Sequence, residues 1–177
     1  MNNLLQILSL AILLTISSCT NQGKVAKQYS YFDIEGYFEK EALRLKQANP
    51  HVVKSVKKNS EIEERKVHIN DWGEEFSLFS ASDINKPAWK NSYKKYEKPR
   101  ETWYISTDPN LRTEKILIQR EENGTIVRIF ISNKVSNSLY TSKEGLNYYP
   151  DSLYQIYKEQ KVRLLGTNDY TITGKLK

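Results

Sequence analysis

The sequence predicts an α+β domain: a curved antiparallel sheet of about seven strands, an N-terminal helix packed across its concave face, and a second short helix. Three observations predict it. Apolar residues recur at helical spacing in two early stretches, each preceded by a capping pattern. From Glu101 onward the period changes to two, the spacing of a half-buried strand. Twelve tyrosines stand against one methionine, a bias that suits a pleated, half-buried surface.

The elements follow in chain order. Ser30 and Asp33 form a capping pair before Ile34, Phe38, Ala42 and Leu45, which share one helical face, and Asn49-Pro50 ends the helix because the residue before proline avoids the α region. Residues 52–58 and 62–69 read as a charged edge hairpin about Asn59-Ser60. Asp71 and Glu74 repeat the capping spacing, and Trp72, Phe76 and Phe79 make the apolar face of the second helix. Residues 102–107 read as a short strand. Asn123-Gly124 then predicts a two-residue hairpin turn pairing Ile118 with Ile129, Ile116 with Ile131 and Arg120 with Val127. Leu117 and Phe130 meet on the opposite face, which predicts cover on both sides for part of this hairpin. Further strands are expected over 137–141, 146–149 and 153–157. A last hairpin joins 160–165 to 169–176 across Gly166-Thr167-Asn168, with Val162 and Leu164 on the face of Tyr170 and Ile172.

The first nineteen residues carry the clearest functional signal. Leu4 to Leu14 is apolar except for Gln6 and Ser9, too short to span a hydrocarbon core of about 30 Å and suited to a signal-peptide core. Ile16-Ser17-Ser18-Cys19 resembles the bacterial lipobox, which implies diacylglyceryl attachment to the Cys19 thiol and cleavage before it. An ordinary secretory signal or a short uncleaved anchor is the alternative, because Met1-Asn2-Asn3 lacks lysine and arginine. The single cysteine of the chain sits where the lipid chemistry needs a thiol. That same uniqueness excludes an intramolecular disulfide and a cysteine-rich zinc site. Residues 1–18 are read as the signal peptide, 19–29 as a lipidated polar tether and 30–177 as a single α+β domain. The residue after the cysteine is Thr20 rather than aspartate, and the resemblance to enteric lipoproteins implies sorting to the outer membrane, facing the periplasm.

The net charge of +6 suits short-range attraction to anionic head groups, or simply solubility. Export argues against nucleic acid as the partner of this basic chain. Residues 83–100 concentrate the charge. Lys86, Trp89, Lys90, Lys94, Lys95 and Lys98 are the candidate membrane or glycan contact, with Trp89, Tyr93 and Tyr96 on one stripe if the segment is helical; an extended conformation is the other reading. A solvated connector is the competing account of its lysines.

No catalytic, cofactor-binding or metal-binding set emerges. His51 and His68 lack further ligands at suitable spacing, and Glu74 and Glu75 beside Trp72 suit a helix's first turn better than a glycosidase pair. Asn123-Gly124-Thr125 matches a sequon but reads as a turn, and Asp151-Ser152-Leu153 resembles a bacterial O-glycosylation site.

The order of helix, Trp-x-x-Glu helix, Asp-Ile-Asn-Lys-Pro and strands resembles a group of small uncharacterised lipoproteins of Gram-negative bacteria, which implies a lipid anchor and no particular activity. A lipid anchor with a helix-covered curved sheet is also similar to the outer-membrane receptor for lipoproteins and its periplasmic carrier. The expected function is non-catalytic: a binding or assembly module in the envelope, held to the membrane through acylated Cys19, with an envelope protein as candidate partner. The alternative is a carrier-like module holding an acyl chain or other apolar ligand between sheet and helix.

Overall fold

The computed structural model describes residues 29–177. The lipobox-like Ile16-Ser17-Ser18-Cys19 and most of the expected tether, residues 19–29, lie outside the described residues.

Nine strands form one antiparallel sheet in the order β2-β1-β9-β8-β7-β6-β5-β4-β3. Seven of them, β3 (Tyr93–Lys98), β4 (Glu101–Ser106), β5 (Thr113–Arg120), β6 (Ile126–Ser136), β7 (Tyr140–Tyr149), β8 (Leu153–Val162) and β9 (Gly166–Leu176), follow one another as a meander. The early hairpin β1 (His51–Lys58) and β2 (Glu61–His68) docks on β9 through pairs such as Val56 with Ile172. The expected count of about seven therefore rises to nine, and the sheet is open and not strongly curled. The reason is non-local: pairing the first strand with the last joins positions more than a hundred residues apart, which no local pattern announces.

Helix α1 (Ile34–Ala48) forms as its periodicity predicts, burying Ile34, Phe38 and Leu45. Its cap is Asp33, whose Oδ1 accepts from the Gly36 amide at 2.9 Å. Ser30 lies outside the helix and donates its amide to Asn85 Oδ1. Asn49 ends the helix in the left-handed region, its amide returning to the Leu45 carbonyl. The second predicted helix is two short ones, α2 (Trp72–Glu75) and α3 (Ser77–Ser80), interrupted at Phe76. Its apolar face is nonetheless as expected, with Trp72, Phe76 and Phe79 buried.

These helices cover one face of the sheet. The Phe38 ring lies 4.7 Å from Phe79, 5.2 Å from Tyr148 and 5.3 Å from Phe76. Ile116, Ile118, Ile129 and Ile131 form the floor below, in the predicted register. Near the Asn123-Gly124 turn a bulge intervenes and Arg120 pairs with Ile126 instead of Val127. The glycine at the turn has φ +87°, a backbone state that side chains disfavour.

Two buried phenols anchor helices to sheet. Tyr148 donates to Glu41 of α1 and Tyr154 to Glu75 of α2, both at 2.5 Å. Burial first, and the neighbouring carboxylate second, push both phenols well above their ordinary value, so they remain donors. Glu144 is also buried on this face. Burial would raise its pKa, but bonds to Arg112 at 2.8 Å and Lys158 at 3.3 Å outweigh that and hold it below the usual carboxylate range.

Two strand expectations change. Of the expected 137–141 strand only Tyr140 and Thr141 are extended; they join 146–149 in one strand, β7, which runs through Gly145, while 137–139 form the turn before it and β8 continues to Val162. The final turn therefore falls on Arg163-Leu164-Leu165, Val162 pairs with Gly166, and Leu164 leaves the sheet. The expected shared face of Leu164 with Tyr170 does not exist, since Tyr170 pairs with Lys158. A loop rich in leucine gives no turn signal of the glycine or asparagine kind, so local pattern favours the glycine that follows it.

Candidate functional site: the open face of the sheet

The 83–100 segment is neither one helix nor one patch. Pro87–Trp89 is a single 3-10 turn, and residues 93–98 are the edge strand β3. A strand sends alternate side chains to opposite faces, so the predicted stripe is divided. Tyr93 turns into the core, donating its hydroxyl to the Thr113 carbonyl at 2.8 Å. Tyr96 takes the opposite face and is half exposed. Lys94 and Lys98 share that face, whereas Lys95 lies on the helix-bearing side, 2.7 Å from Glu97. That bond holds the Lys95 ammonium above its ordinary value. Lys86 stacks over Trp89 at 4.3 Å, and with Lys90 it lines a separate cleft of about 600 Å³ beside Tyr29 and Tyr31.

Among the described residues no helix packs on the face that carries Tyr96. There the strand register builds three parallel rows. The central row pairs Tyr96 with Trp103, Trp103 with Leu117, and Leu117 with Phe130, four successive strands with an apolar side chain each. Leu117 is almost fully buried although no second layer covers it, because Trp103 and Phe130 flank it. The expected double cover of the β5–β6 hairpin is thus supplied by neighbours in the same sheet. On one side of this row run Lys94, Ile105 and Lys115; on the other run Lys98, Glu101, Gln119 and Arg128. The Arg128 guanidinium lies 5.6 Å from the Phe130 ring centroid and 5.5 Å from that of Tyr149, and bonds Asn147 Oδ1 at 2.7 Å. Trp103 Nε1 donates to Glu101 at 2.9 Å, which fixes the indole.

The result is a flat strip of rings and an aliphatic group, spanning about 14 Å over four strands at ~4.8 Å spacing, edged by cations. Local reading of the sequence missed Trp103 and Arg128. Both Trp103 and Ile105, and Thr102 and Tyr104, are compatible with a buried face, so alternation alone could not say which pair looked outward.

The other candidates occupy separate places. His51 and His68 sit directly across the β1–β2 ladder with ring centroids 4.1 Å apart, both exposed, and the neighbouring His68 charge lowers the His51 pKa. Among the described residues no group of three metal-ligating side chains occurs. Glu75 is held by Lys54 at 2.8 Å and by Tyr154, while Glu74 is exposed in the first turn of α2. Asp151 forms an ion pair with Arg44 at 2.7 Å.

Compared with known proteins, the chain matches no family model, no curated protein and no solved structure. The class the fold and site define is an open-faced antiparallel sheet domain with helices on one side and an aromatic, cation-edged strip on the other.

Proposed function

We propose that this chain is a lipid-anchored, non-catalytic binding module of the bacterial envelope, and that its open sheet face holds an acidic glycan. One observation carries the reading: the in-register row of Tyr96, Trp103, Leu117 and Phe130 with cations on both sides. An apolar strip that no second layer covers, with Tyr96 exposed and Trp103 and Phe130 partly so, suits a binding surface. The C–H faces of a sugar ring stack on the negative faces of aromatic rings, and Lys94, Lys98, Lys115 and Arg128 supply charge for uronate or phosphate substituents. Of the candidate contacts, this assigns Lys94 and Lys98 to the glycan. Export in the lipobox manner would put the face on the periplasmic side of the outer membrane.

The packing of Phe38, Phe76, Phe79 and Tyr148 between α1 and the sheet, with rings 4.7–6.4 Å apart, favours this open face over an acyl-carrying interior. Titration of the full chain with a polyuronate oligosaccharide is expected to give binding that neutral cello-oligosaccharide of equal length does not. Trp103→Ala is expected to weaken it at least tenfold, about 1.4 kcal/mol, with the fold intact by circular dichroism. Absence of polyuronate binding would turn the reading to an assembly surface for an envelope protein.

The anchor has its own test. Cells given a fatty-acid probe are expected to label the parent chain and not Cys19→Ser, which stays uncleaved or mislocalised. Label on Cys19→Ser would overturn the lipoprotein reading.

A further inference from the structure

We infer that the hairpin tips between β6 and β7 and between β8 and β9 form a second site, one that inserts leucines into an anionic lipid surface. Leu139, Leu164 and Leu165 are 70%, 99% and 80% exposed. Isolated exposed leucines are ordinary. These three, however, lie on two adjacent loops joined by a hydrogen bond from the Arg163 amide to the Leu139 carbonyl at 3.0 Å. A turn tip has no packing reason to carry two consecutive leucines, since polar turn formers satisfy the same backbone at no hydrophobic cost.

The surroundings fit a lipid interface. Lys161 and Arg163 flank the leucines, and Lys134 pairs with Lys143 across the neighbouring ladder. The adjoining β1–β2 turn, tied to β9 by the Asn59 amide on the Asp169 carbonyl at 3.0 Å, adds Lys57 and Lys58. Glu61, Glu159 and Asp169 stand against these six cations, leaving the end basic. Apolar side chains at the tip with lysine and arginine just behind them is the arrangement that buries carbon below the head groups and keeps charge on the phosphates.

The path of the chain agrees. In strand register, β3 begins at the same end of the sheet as these turns. The entering segment is fixed there, with the Tyr31 hydroxyl donating to the Lys90 carbonyl at 2.5 Å. Lys86, Trp89 and Lys90, the other half of the predicted contact, lie at this entry. Ten Cα-to-Cα steps separate Cys19 from Tyr29, a reach of up to about 35 Å. The six strand spacings from β3 to β9 span about 29 Å. A bilayer anchored at Cys19 can therefore meet the leucine tips while the glycan face stands upright beside it. The inference rests on the lipid-anchor reading for this orientation only.

The test uses the full chain carrying Leu164→Cys, Leu139→Cys or, at the opposite end of the sheet, Asn123→Cys, labelled with an environment-sensitive fluorophore. The parent chain labelled in parallel gives any background from Cys19. Mixed with vesicles of phosphatidylglycerol and phosphatidylcholine, the probes at 164 and 139 are expected to shift to the blue and be quenched by brominated acyl chains, and the probe at 123 to do neither. A fatty-acid label on the same protein reports the anchor separately. A probe at 164 that stays in water, with or without acyl label, overturns the inference, as does a shift that appears only with envelope protein present. Missing acyl label with a shifted probe overturns the anchor alone.

Discussion

Trp72→Ala is expected to destabilise the domain by about 3–5 kcal/mol, the cost of truncating a fully buried large aromatic. Trp72 is 1% exposed and sits where α2 meets the sheet, 5.3 Å from the Phe76 ring and 6.3 Å from Tyr154. A small domain has only about 5–15 kcal/mol in total, so this change can reduce how much protein accumulates. Urea denaturation checks it: the midpoint should fall with the slope unchanged. An unchanged midpoint would mean that the indole contributes no packing, in conflict with its burial.

Gly174→Ala is the second change with a large expected effect, and it differs in kind because nothing is removed. Gly174 lies directly opposite Tyr154 on the β8–β9 ladder. A Cβ at 174 would come within 2.1 Å of the Tyr154 ring. The ring cannot swing aside freely, since its hydroxyl is bound to Glu75 and Trp72 and Phe76 hold its other sides. Overpacking of this kind costs about 1–3 kcal/mol, and more where neighbours are fixed. A double-mutant cycle isolates the cause: in a Tyr154→Leu background the cost of Gly174→Ala should shrink. An equal cost in both backgrounds would assign the effect to strand propensity instead of the ring.

The two predictions mark a division that runs through the whole molecule. The burial of Trp72 was legible in the sequence, because Trp72, Phe76 and Phe79 recur at helical spacing behind a capping aspartate, even though the helix they share is broken at Phe76. The same holds for the face and end of α1 and for the Ile118–Ile129 register about Asn123-Gly124. In each case the controlling interactions lie within a few turns or across one tight hairpin, so neighbouring residues contain the information.

Gly174 was not legible, and neither was the site. A glycine in a strand announces a bulge or a close approach, but only the pairing of β8 with β9 says that Tyr154 is what approaches. The β1–β9 pairing, which makes nine strands of an expected seven, joins the first strand to the last. The candidate face was hidden for the same reason. Tyr96, Trp103, Leu117 and Phe130 come from four strands, and each strand has apolar residues in both phases. Which phase faces outward is decided when α1, α2 and α3 bury the other side. Sequence by itself thus determined α1, the apolar face of the second helical stretch and the Ile118–Ile129 hairpin, since short-range geometry and periodicity suffice for those. Tertiary structure alone decided the strand order, the direction of the aromatic row and the exposure of Leu164 and Leu165, because each depends on which distant segment covers which face.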